Sequence, residues 1–273
     1  MNITPLNNPE SFDNFIFEKI NLELFQHKYL ENYLDNAKKG QKILYESSIV
    51  NVIDDSWIII LHGEILLIYG ENWKANQFDE LKEIIDLNKF TNYVLTGNTE
   101  LIRELLECFN IVKYRIEKER ILYKTNSITK FFDNNLTIDI GNLNDSYELA
   151  EMLRQYYHEE YNGLNDKTIE DMHNRILSVI YTQKIFVLKD NNNNIISFCT
   201  IINPDIGILF TKEIYRTRGY GKILLSHCAS ILIEENGIVY LMTDKEKIAS
   251  NKVSESLGFF PFFNYSMIEI NYG

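Results

Sequence analysis

The segment Gly207–Leu225, with the sequence GILFTKEIYRTRGYGKILL, limits the folds open to this chain more than any other part of it. It begins with an apolar run typical of a buried strand and ends with an apolar periodicity typical of a helix. A short polar loop that holds Gly219 and Gly221 connects the two. A strand that runs straight into an amphipathic helix predicts a sheet with helices packed on it, which is the α/β class.

The loop has the composition of an anion-binding site. The N-terminus of a helix leaves backbone N–H groups unpaired, and their dipoles favour a negative charge. Gly219 and Gly221 would let an anion approach the backbone closely, because glycine has no side chain. Arg216, Arg218 and Lys222 place cations around the loop in a chain whose net charge is −12. Together these residues predict a pyrophosphate-binding loop.

Known phosphate-binding patterns narrow this interpretation. The pattern GxxxxGK[ST] is absent, and GxGxxG fails because Leu224 stands where its third glycine belongs. The remaining pattern is R-x-x-G-x-G, from Arg216 to Gly221, between a strand and a helix. This pattern resembles the acetyl-CoA-binding motif of the GNAT (GCN5-related) N-acetyltransferases. An ordinary glycine-containing turn with surface charges is the alternative.

A second part of the sequence resembles the same family. After a strand, here predicted at 238–242, the family often has a Thr-Asp-type segment, an Asn, a Ser-Asn pair, a helix and a Gly-Phe pair. Thr243-Asp244, Ser250-Asn251 and Gly258-Phe259 stand in that order here. The elements predicted for the second half, β-α-α-β-β-β-α-β-α-β, also follow the family's order. The resemblance covers roughly residues 136–273 and implies a mixed α/β sheet with the acyl-CoA N-acyltransferase fold.

The resemblance implies how acetyl-CoA would bind, as a co-substrate and without a metal. The strand at 206–210 would offer backbone groups to the pantetheine arm, beside a gap before strand 238–242. A backbone N–H near Phe210 or Thr211 would polarise the acyl carbonyl, and an amine would attack it directly. The N–H groups of residues 218–222 would hold the pyrophosphate. The implied binding residues are Leu209, Phe210, Thr211, Arg216, Thr217, Arg218, Gly219, Tyr220, Gly221, Lys222 and Asn251.

Two positions depart from the family pattern. A Tyr on the last helix often protonates the leaving thiolate in this family, and Ser254 stands at that position here. The family's Asn earlier in the segment is Lys247. A serine hydroxyl is shorter and less acidic than a phenol. Ser254 could still donate the proton, Tyr265 or Tyr220 could replace it, water could supply it, or the domain could bind acyl-CoA without transferring the acyl group.

A general base and an acceptor site have weaker signals in the sequence. The candidate bases are Asp205, just ahead of strand 206–210, and Asp244, just after strand 238–242, and both also suit turns. The stretch Tyr156–Asn162 interleaves carboxylates with aromatic rings, which suits a cationic amine. A solvated helix end whose tyrosines pack inward explains the same pattern.

Residues 1–133 repeat the pattern in a degenerate form. Their predicted strands and helices, beginning with a strand over 42–53, resemble a second GNAT-like copy, but the loop Gly70–Lys74 lacks the R-x-x-G-x-G motif. Tandem proteins with a degenerate first half occur in this family. We therefore predict two domains, 1–133 and 134–273, with the first extending the sheet and closing one wall of the acceptor site.

Composition excludes several function classes. The negative charge is shared equally by the two predicted domains, so we expect no concentrated basic surface for nucleic acid. The apolar stretch 56–70 is interrupted at His62-Gly63-Glu64, which predicts two short strands and no membrane span. The three cysteines are widely spaced and no HxH or HExxH pair occurs, which favours a reducing cytosol and speaks against a metal site. The N-terminal residues lack a signal-peptide pattern, so we expect a cytoplasmic protein.

The sequence thus favours an acetyl-CoA-dependent N-acetyltransferase that moves an acetyl group to a primary amine of a small molecule or peptide. A non-catalytic acyl-CoA-binding or scaffold module is the alternative, supported by Ser254 and Lys247. An aminoacyl-tRNA-dependent transferase, which also pairs two such halves, would need a basic groove that the charge balance does not favour. An exposed last strand would allow two copies to pair as a homodimer.

Overall fold

Contacts within the chain divide it into two compact units. The computed structural model describes residues 9–40, 48–164, 166–182 and 184–271 of the chain. The first unit comprises the chain up to Leu122, the short segment Asp244–Glu246 and the chain from Phe262 onward. The second unit comprises Tyr123–Thr243 and Lys247–Pro261.

The first unit is a mixed sheet with helices. Its helices are α1 (Pro9–Lys19), α2 (Lys28–Lys39), α3 (Ala75–Ile84) and α4 (Thr99–Cys108). Its strands are β1 (Ser48–Ile53), β2 (Ser56–His62), β3 (Leu66–Glu71), β4 (Tyr93–Asn98) and most of β5 (Tyr114–Thr125) and β11 (Phe260–Ile270). The strand order is β1-β2-β3-β4-β11-β5, with β3 parallel to β4 and β11 antiparallel to β4.

Local sequence signals account for these elements. The apolar stretch 56–70 forms the antiparallel strands β2 and β3, as predicted. Every residue of β2 except His62 is buried, which is why its sequence is apolar on both faces. The side chain of Asn98 caps α4 by accepting the N–H of Leu101 at 3.1 Å. Of the strand predicted over 42–53, residues 48–53 form β1, and the rest lies outside the described residues.

The second unit is built on a five-stranded sheet with helices on both faces. Its helices are α5 (Ser146–Glu160), α6 (Ile169–Thr182), α7 (Tyr220–Asn236) and α8 (Ile248–Leu257). Its strands are β6 (Thr137–Ile140), β7 (Lys184–Lys189), β8 (Ile195–Ile202), β9 (Asp205–Thr211) and β10 (Val239–Asp244), in the order β10-β9-β8-β7-β6. The element order predicted for the second half is confirmed. No described helix in either unit is long and apolar enough to span a membrane.

The two faces of this sheet carry different helices. Phe198 and Phe210 pack into one apolar cluster with residues of α5 and α6. Thr211 points the other way, toward α7, where a Cβ on Gly221 would lie 3.0 Å from its hydroxyl oxygen. The strand β9 and the first turn of α7 are therefore in close contact.

The C-terminal strand belongs to the first unit. β11 pairs with β4 in antiparallel register from Tyr265 opposite Asn98 to Ile270 opposite Tyr93. The compact units are therefore not separated by one cut in the sequence. The domain division at residues 133/134 stays a prediction.

Candidate functional site

The first turn of α7 presents unpaired backbone donors. We call residues 216–222 the cradle loop. Gly219 precedes the helix in a left-handed conformation, with φ 83° and ψ 0°, and no side chain caps the turn. The first bond that closes the helix runs from Ile223 N–H to Gly219 O at 3.0 Å. Among the described residues, none accepts a hydrogen bond from the N–H groups of Tyr220, Gly221 or Lys222. These donors are available to an anion.

The backbone ahead of the helix is strained. Thr217 has φ 65°, so it and Gly219 are two left-handed residues on either side of Arg218. A left-handed conformation is uncommon for a β-branched residue and is typical of functional sites. The Thr217 hydroxyl donates to the Arg216 carbonyl oxygen at 2.6 Å. Sequence patterns gave no signal for this strain, because threonine is disfavoured in the conformation that it adopts here.

The two glycines of the cradle loop have different roles. A Cβ on Gly219 would meet nothing within 4 Å, so its surroundings are open. A Cβ on Gly221 would lie 3.0 Å from Thr211 Oγ1 and 3.9 Å from Leu209 Cδ2. Gly221 therefore allows α7 to pack closely on β9, while Gly219 leaves the approach to the backbone open.

A gap opens beside β9 toward the cradle loop. Within these two fully described strands, β9 and β10 pair only at Asp205 and Tyr240. On the other side of β9, Lys212 N–H bonds to Ile196 O at 3.0 Å, and Phe210 lies opposite Phe198 in the same register. Backbone groups alternate between the two sides of a strand, so those of Phe210 face β8 and those of Thr211 face the gap. Of the two N–H groups expected to polarise an acyl carbonyl, that of Thr211 is the one that faces the gap.

A β-bulge bends β9 at Gly207 and Ile208, and sequence analysis did not predict it. Cys199 lies opposite Leu209, but Ile201 lies opposite Ile206. Gly207 and Ile208 of β9 therefore face a single residue of β8. That residue, Thr200, accepts the Ile208 N–H through Oγ1 at 2.7 Å. A Cβ on Gly207 would lie 2.4 Å from the same oxygen, so only glycine fits there. Bulges bend and twist a strand, which is consistent with the separation of β9 from β10.

The three predicted cations are not equivalent. Arg216 donates from Nε to Thr211 O at 2.9 Å and from its guanidinium to Glu159 Oε1 at 2.8 Å. Its guanidinium carbon also lies 5.2 Å from the centre of the Phe210 ring. Arg216 thus ties the cradle loop to β9 and α5. Arg218 is exposed and makes no ion pair among the described residues, so its charge is available to a ligand.

Lys222 has a third environment. Its Nζ lies 3.9 Å from the centre of the Phe131 ring, a cation–π contact. The charge therefore stays near the helix N-terminus but is directed toward the segment ahead of β6.

The position of Ser254 argues against the predicted proton transfer. Its side chain is 2% exposed, and its hydroxyl donates to the Ser250 carbonyl oxygen at 3.0 Å, one turn earlier in α8. The hydroxyl proton of Ser254 is therefore already engaged in a hydrogen bond within α8. The prediction that Ser254 takes the place of the family's Tyr as an acid is not supported by this geometry.

Asp205 lies at the far end of β9 from the cradle loop. It is the first residue of the strand and Thr211 is the last. At about 3.3 Å per residue the two are roughly 20 Å apart. Asp205 and the cradle loop are therefore not brought together, and a direct role as the general base has no geometric support.

Asp244 is held in an ion pair of the first unit. Its Oδ2 lies 2.9 Å from Lys118 Nζ, with exposures of 10% and 13% for the two side chains. Its Oδ1 accepts the Glu246 N–H at 3.0 Å. Burial raises the pKa of the Asp244 carboxyl, but the hydrogen bonds from Lys118 and Glu246 outweigh it and hold that pKa below its usual value. A carboxylate so stabilised is a weak base.

The remaining predicted residues have structural contacts. The Thr243 hydroxyl donates to Asn251 Oδ1, which joins the end of β10 to α8. The ring of Tyr220 packs edge-on against Tyr215 at 6.2 Å. Tyr265 belongs to the first unit, where the Thr96 hydroxyl donates to it at 2.5 Å and burial raises its pKa to about 12.

The predicted acceptor site at the end of α5 is already paired. The Glu159 carboxylate binds Arg216, and the Glu159 carbonyl oxygen accepts Lys247 Nζ at 3.0 Å. His158 Nδ1 lies 2.9 Å from the Asp166 carboxylate. The Glu159 carboxylate is therefore engaged by Arg216, and Lys247, the lysine that replaces the family's Asn, binds the backbone carbonyl of the same residue.

Comparison with known proteins assigns one part of the chain to a family. The family model described as Acetyltransferase (GNAT) family matches residues 147–259, which contain the cradle loop. No curated protein matches the chain in sequence. A GCN5-related N-acetyltransferase from Sphaerobacter thermophilus is similar in structure, with a TM-score of 0.55 and 14% identity over 88% of this chain and 84% of that one. A GNAT-family acetyltransferase from Colwellia psychrerythraea has a TM-score of 0.55 and 9% identity over 99% of this chain and 97% of that one. At these identities the likeness shows a shared fold, and it extends over both units. Residues 147–259 therefore carry a domain of the GNAT acetyltransferase family.

Proposed function

We propose that this protein is an acetyl-CoA-dependent N-acetyltransferase that acetylates a primary amine of a small molecule or peptide in the cytoplasm. The observation that carries the proposal is the open first turn of α7 beside the divergence of β9 from β10. The first turn of α7 supplies N–H donors for a pyrophosphate, and the divergence of the two strands leaves an edge of β9 for an extended pantetheine arm.

The residues present fit acetyl-CoA in three respects. The N–H groups of Tyr220, Gly221 and Lys222 would hold the pyrophosphate, and Arg218 would add a charge. The backbone groups of Leu209 and Thr211 would bind the pantetheine arm, as a partner strand binds a sheet edge. Acetyl-CoA supplies an activated acyl group, a thioester.

The chain's part in the reaction is positioning and polarisation. The Thr211 N–H would donate to the thioester carbonyl oxygen, stabilising the negative charge that develops when the amine nitrogen attacks the carbon. The C–N bond forms as the C–S bond breaks. The amine's extra proton passes to water, and the thiolate takes a proton from water, because Ser254 has its proton engaged. Direct attack of this kind proceeds through positioning.

A calorimetric titration tests the binding half of the proposal. Acetyl-CoA, CoA and propionyl-CoA are titrated separately into the full chain, and we expect micromolar binding of acetyl-CoA. Release of free thiol with a panel of primary amines then tests transfer. Absence of binding by all three compounds would mean that the cradle loop is only a turn.

A second candidate function is acyl-CoA binding without transfer. The buried and internally bonded Ser254 and the Glu159–Lys247 contact in the predicted acceptor site favour it. It predicts the same calorimetric result, with no thiol release for any amine. The thiol assay therefore decides between the two functions.

A further inference from the structure

A cavity of about 520 Å³ lies beside α7 in the second unit. Ile223, Ser226, His227 and Ser230 of α7 line one side of it. These positions recur at helical spacing, so they form one stripe along the helix. Of the buried residues of α7, Ser226 lies in this stripe, and the others, Leu224, Leu225, Cys228, Ala229 and Leu232, lie at other positions. The cavity therefore borders a face of α7 other than the one that packs into the core.

The segment ahead of β6 forms the other wall, and hydrogen bonds hold it in place. Phe131 N–H donates to Ser226 Oγ at 3.1 Å, and Ser226 Oγ lies 3.2 Å from Phe131 O. Leu188 of β7 closes the cavity on the side of the sheet. Phe132, also in the lining, is 82% exposed and adds apolar surface at the rim. The volume and the lining, half of apolar and half of polar side chains, suit a small amphipathic molecule.

The charges around the cavity favour an anion. Lys130 lines it and makes no ion pair among the described residues. Lys222 adds a second positive charge next to Phe131. The lining also contains the carboxylate of Asp133, which accepts the Asn135 N–H at 2.9 Å and is outnumbered by the two lysines. This positive region stands out in a chain whose net charge is −12.

We propose that this cavity binds an amphipathic organic anion, with its apolar body against Phe131, Leu188 and Ile223 and its charged head at Lys130. The cavity begins next to the cradle loop, at Ile223, and extends along α7 away from it. Ser230 is about 15 Å along α7 from Tyr220, at 1.5 Å per residue. The proposal goes beyond acetyl transfer and does not depend on it.

Fluorescence titration with 8-anilinonaphthalene-1-sulfonate, an apolar aromatic anion, tests the site on the full chain. We expect one binding site, displaced by octanoate but not by inorganic phosphate or by acetyl-CoA. Lys130→Glu should weaken binding about tenfold, because it removes a charge-assisted contact and adds a repulsive charge. Phe132→Ser should weaken binding as well, through lost apolar contact.

Lys252→Glu is the matched control, since it makes the same charge change at an exposed position of α8. Equal affinity of the Lys130→Glu and Lys252→Glu variants for the probe would overturn the proposal. So would displacement of the probe by acetyl-CoA, which would assign the probe to the acyl-CoA site. Thermal melts followed by circular dichroism verify that each variant is folded, and an unchanged acetyl-CoA titration in Lys130→Glu is expected.

Discussion

A carboxylate at position 219 should separate ligand binding from folding stability. Gly219 has φ 83°, and a side chain placed there would meet nothing within 4 Å. Gly219→Asp and Gly219→Asn therefore carry the same backbone strain, about 1 kcal/mol, because both residues tolerate the left-handed conformation better than others do. Only Asp adds a negative charge at the anion-binding end of α7.

The size of the effect follows from the position of that charge. A carboxylate roughly 6 Å from one phosphate charge, at an effective dielectric constant of about 20, is repelled by about 3 kcal/mol. This corresponds to about a hundredfold weaker binding of acetyl-CoA by Gly219→Asp than by Gly219→Asn. Folding stability should move the other way, because a negative charge at a helix N-terminus stabilises the helix by a few tenths of a kcal/mol.

Calorimetric titration with acetyl-CoA and urea denaturation measure the two quantities on the same variants. The difference in affinity should shrink as salt is added, since the screening length at 0.1 M is only about 10 Å. Dissociation constants within threefold of each other for the Asp and Asn variants, at low salt, would refute the assignment of the pyrophosphate to the cradle loop.

Three further predictions concern folding stability and the role of Ser254 as the acid that protonates the leaving thiolate. Gly97 has φ 138°, and a Cβ there would lie 1.9 Å from a carbonyl oxygen of β3, so Gly97→Ala should cost more than about 4 kcal/mol in urea denaturation. Gly237→Ala, at φ 75° with nothing within 4 Å, should cost only about 1 kcal/mol, and equal costs would contradict the packing at β3. Lys118→Met should destabilise the chain by about 2 kcal/mol at neutral pH, because it removes the ion pair from the largely buried Asp244 carboxylate. Folding lowers the pKa of Asp244, so this stabilisation is present above the unfolded value of 3.8 and is lost as the pH falls through the native pKa. Urea denaturation at several pH values should show the stability difference between wild type and variant narrowing in that range. Ser254→Ala should leave thiol release unchanged, because the hydroxyl donates within its own helix, and a large loss of turnover would restore the serine as an acid.

Elements whose signals are local were predicted well from the sequence. The order of strands and helices in the second half follows from hydrophobic periodicity, which depends on neighbours within one or two turns. The turn after β7 is a local feature too, because Asp190 accepts the N–H groups of Asn192 and Asn194 within the same short loop. The start of α7 is another, since a glycine in the left-handed region ahead of an apolar helix is a local feature.

Features that depend on distant partners were missed. Arg216 looked like a phosphate ligand, but its charge is directed to Glu159, which lies 57 residues earlier in the chain. Asp244 looked like a base until Lys118, far away in sequence, was seen to pair with it. The bulge in β9 needs Thr200 of the neighbouring strand, and no pattern within β9 records it.

The sequence by itself determined that a strand leads through two glycines into a helix with free N–H donors, since backbone conformation and helix ends are set by nearby residues. Only the tertiary structure decided which charges remain available to a ligand, because each ionic side chain takes the partner that folding brings to it. Gly221 shows the difference within a single motif. Its place in the motif is plain from the sequence, but its contact with Thr211, which draws α7 onto β9, exists only in the folded chain.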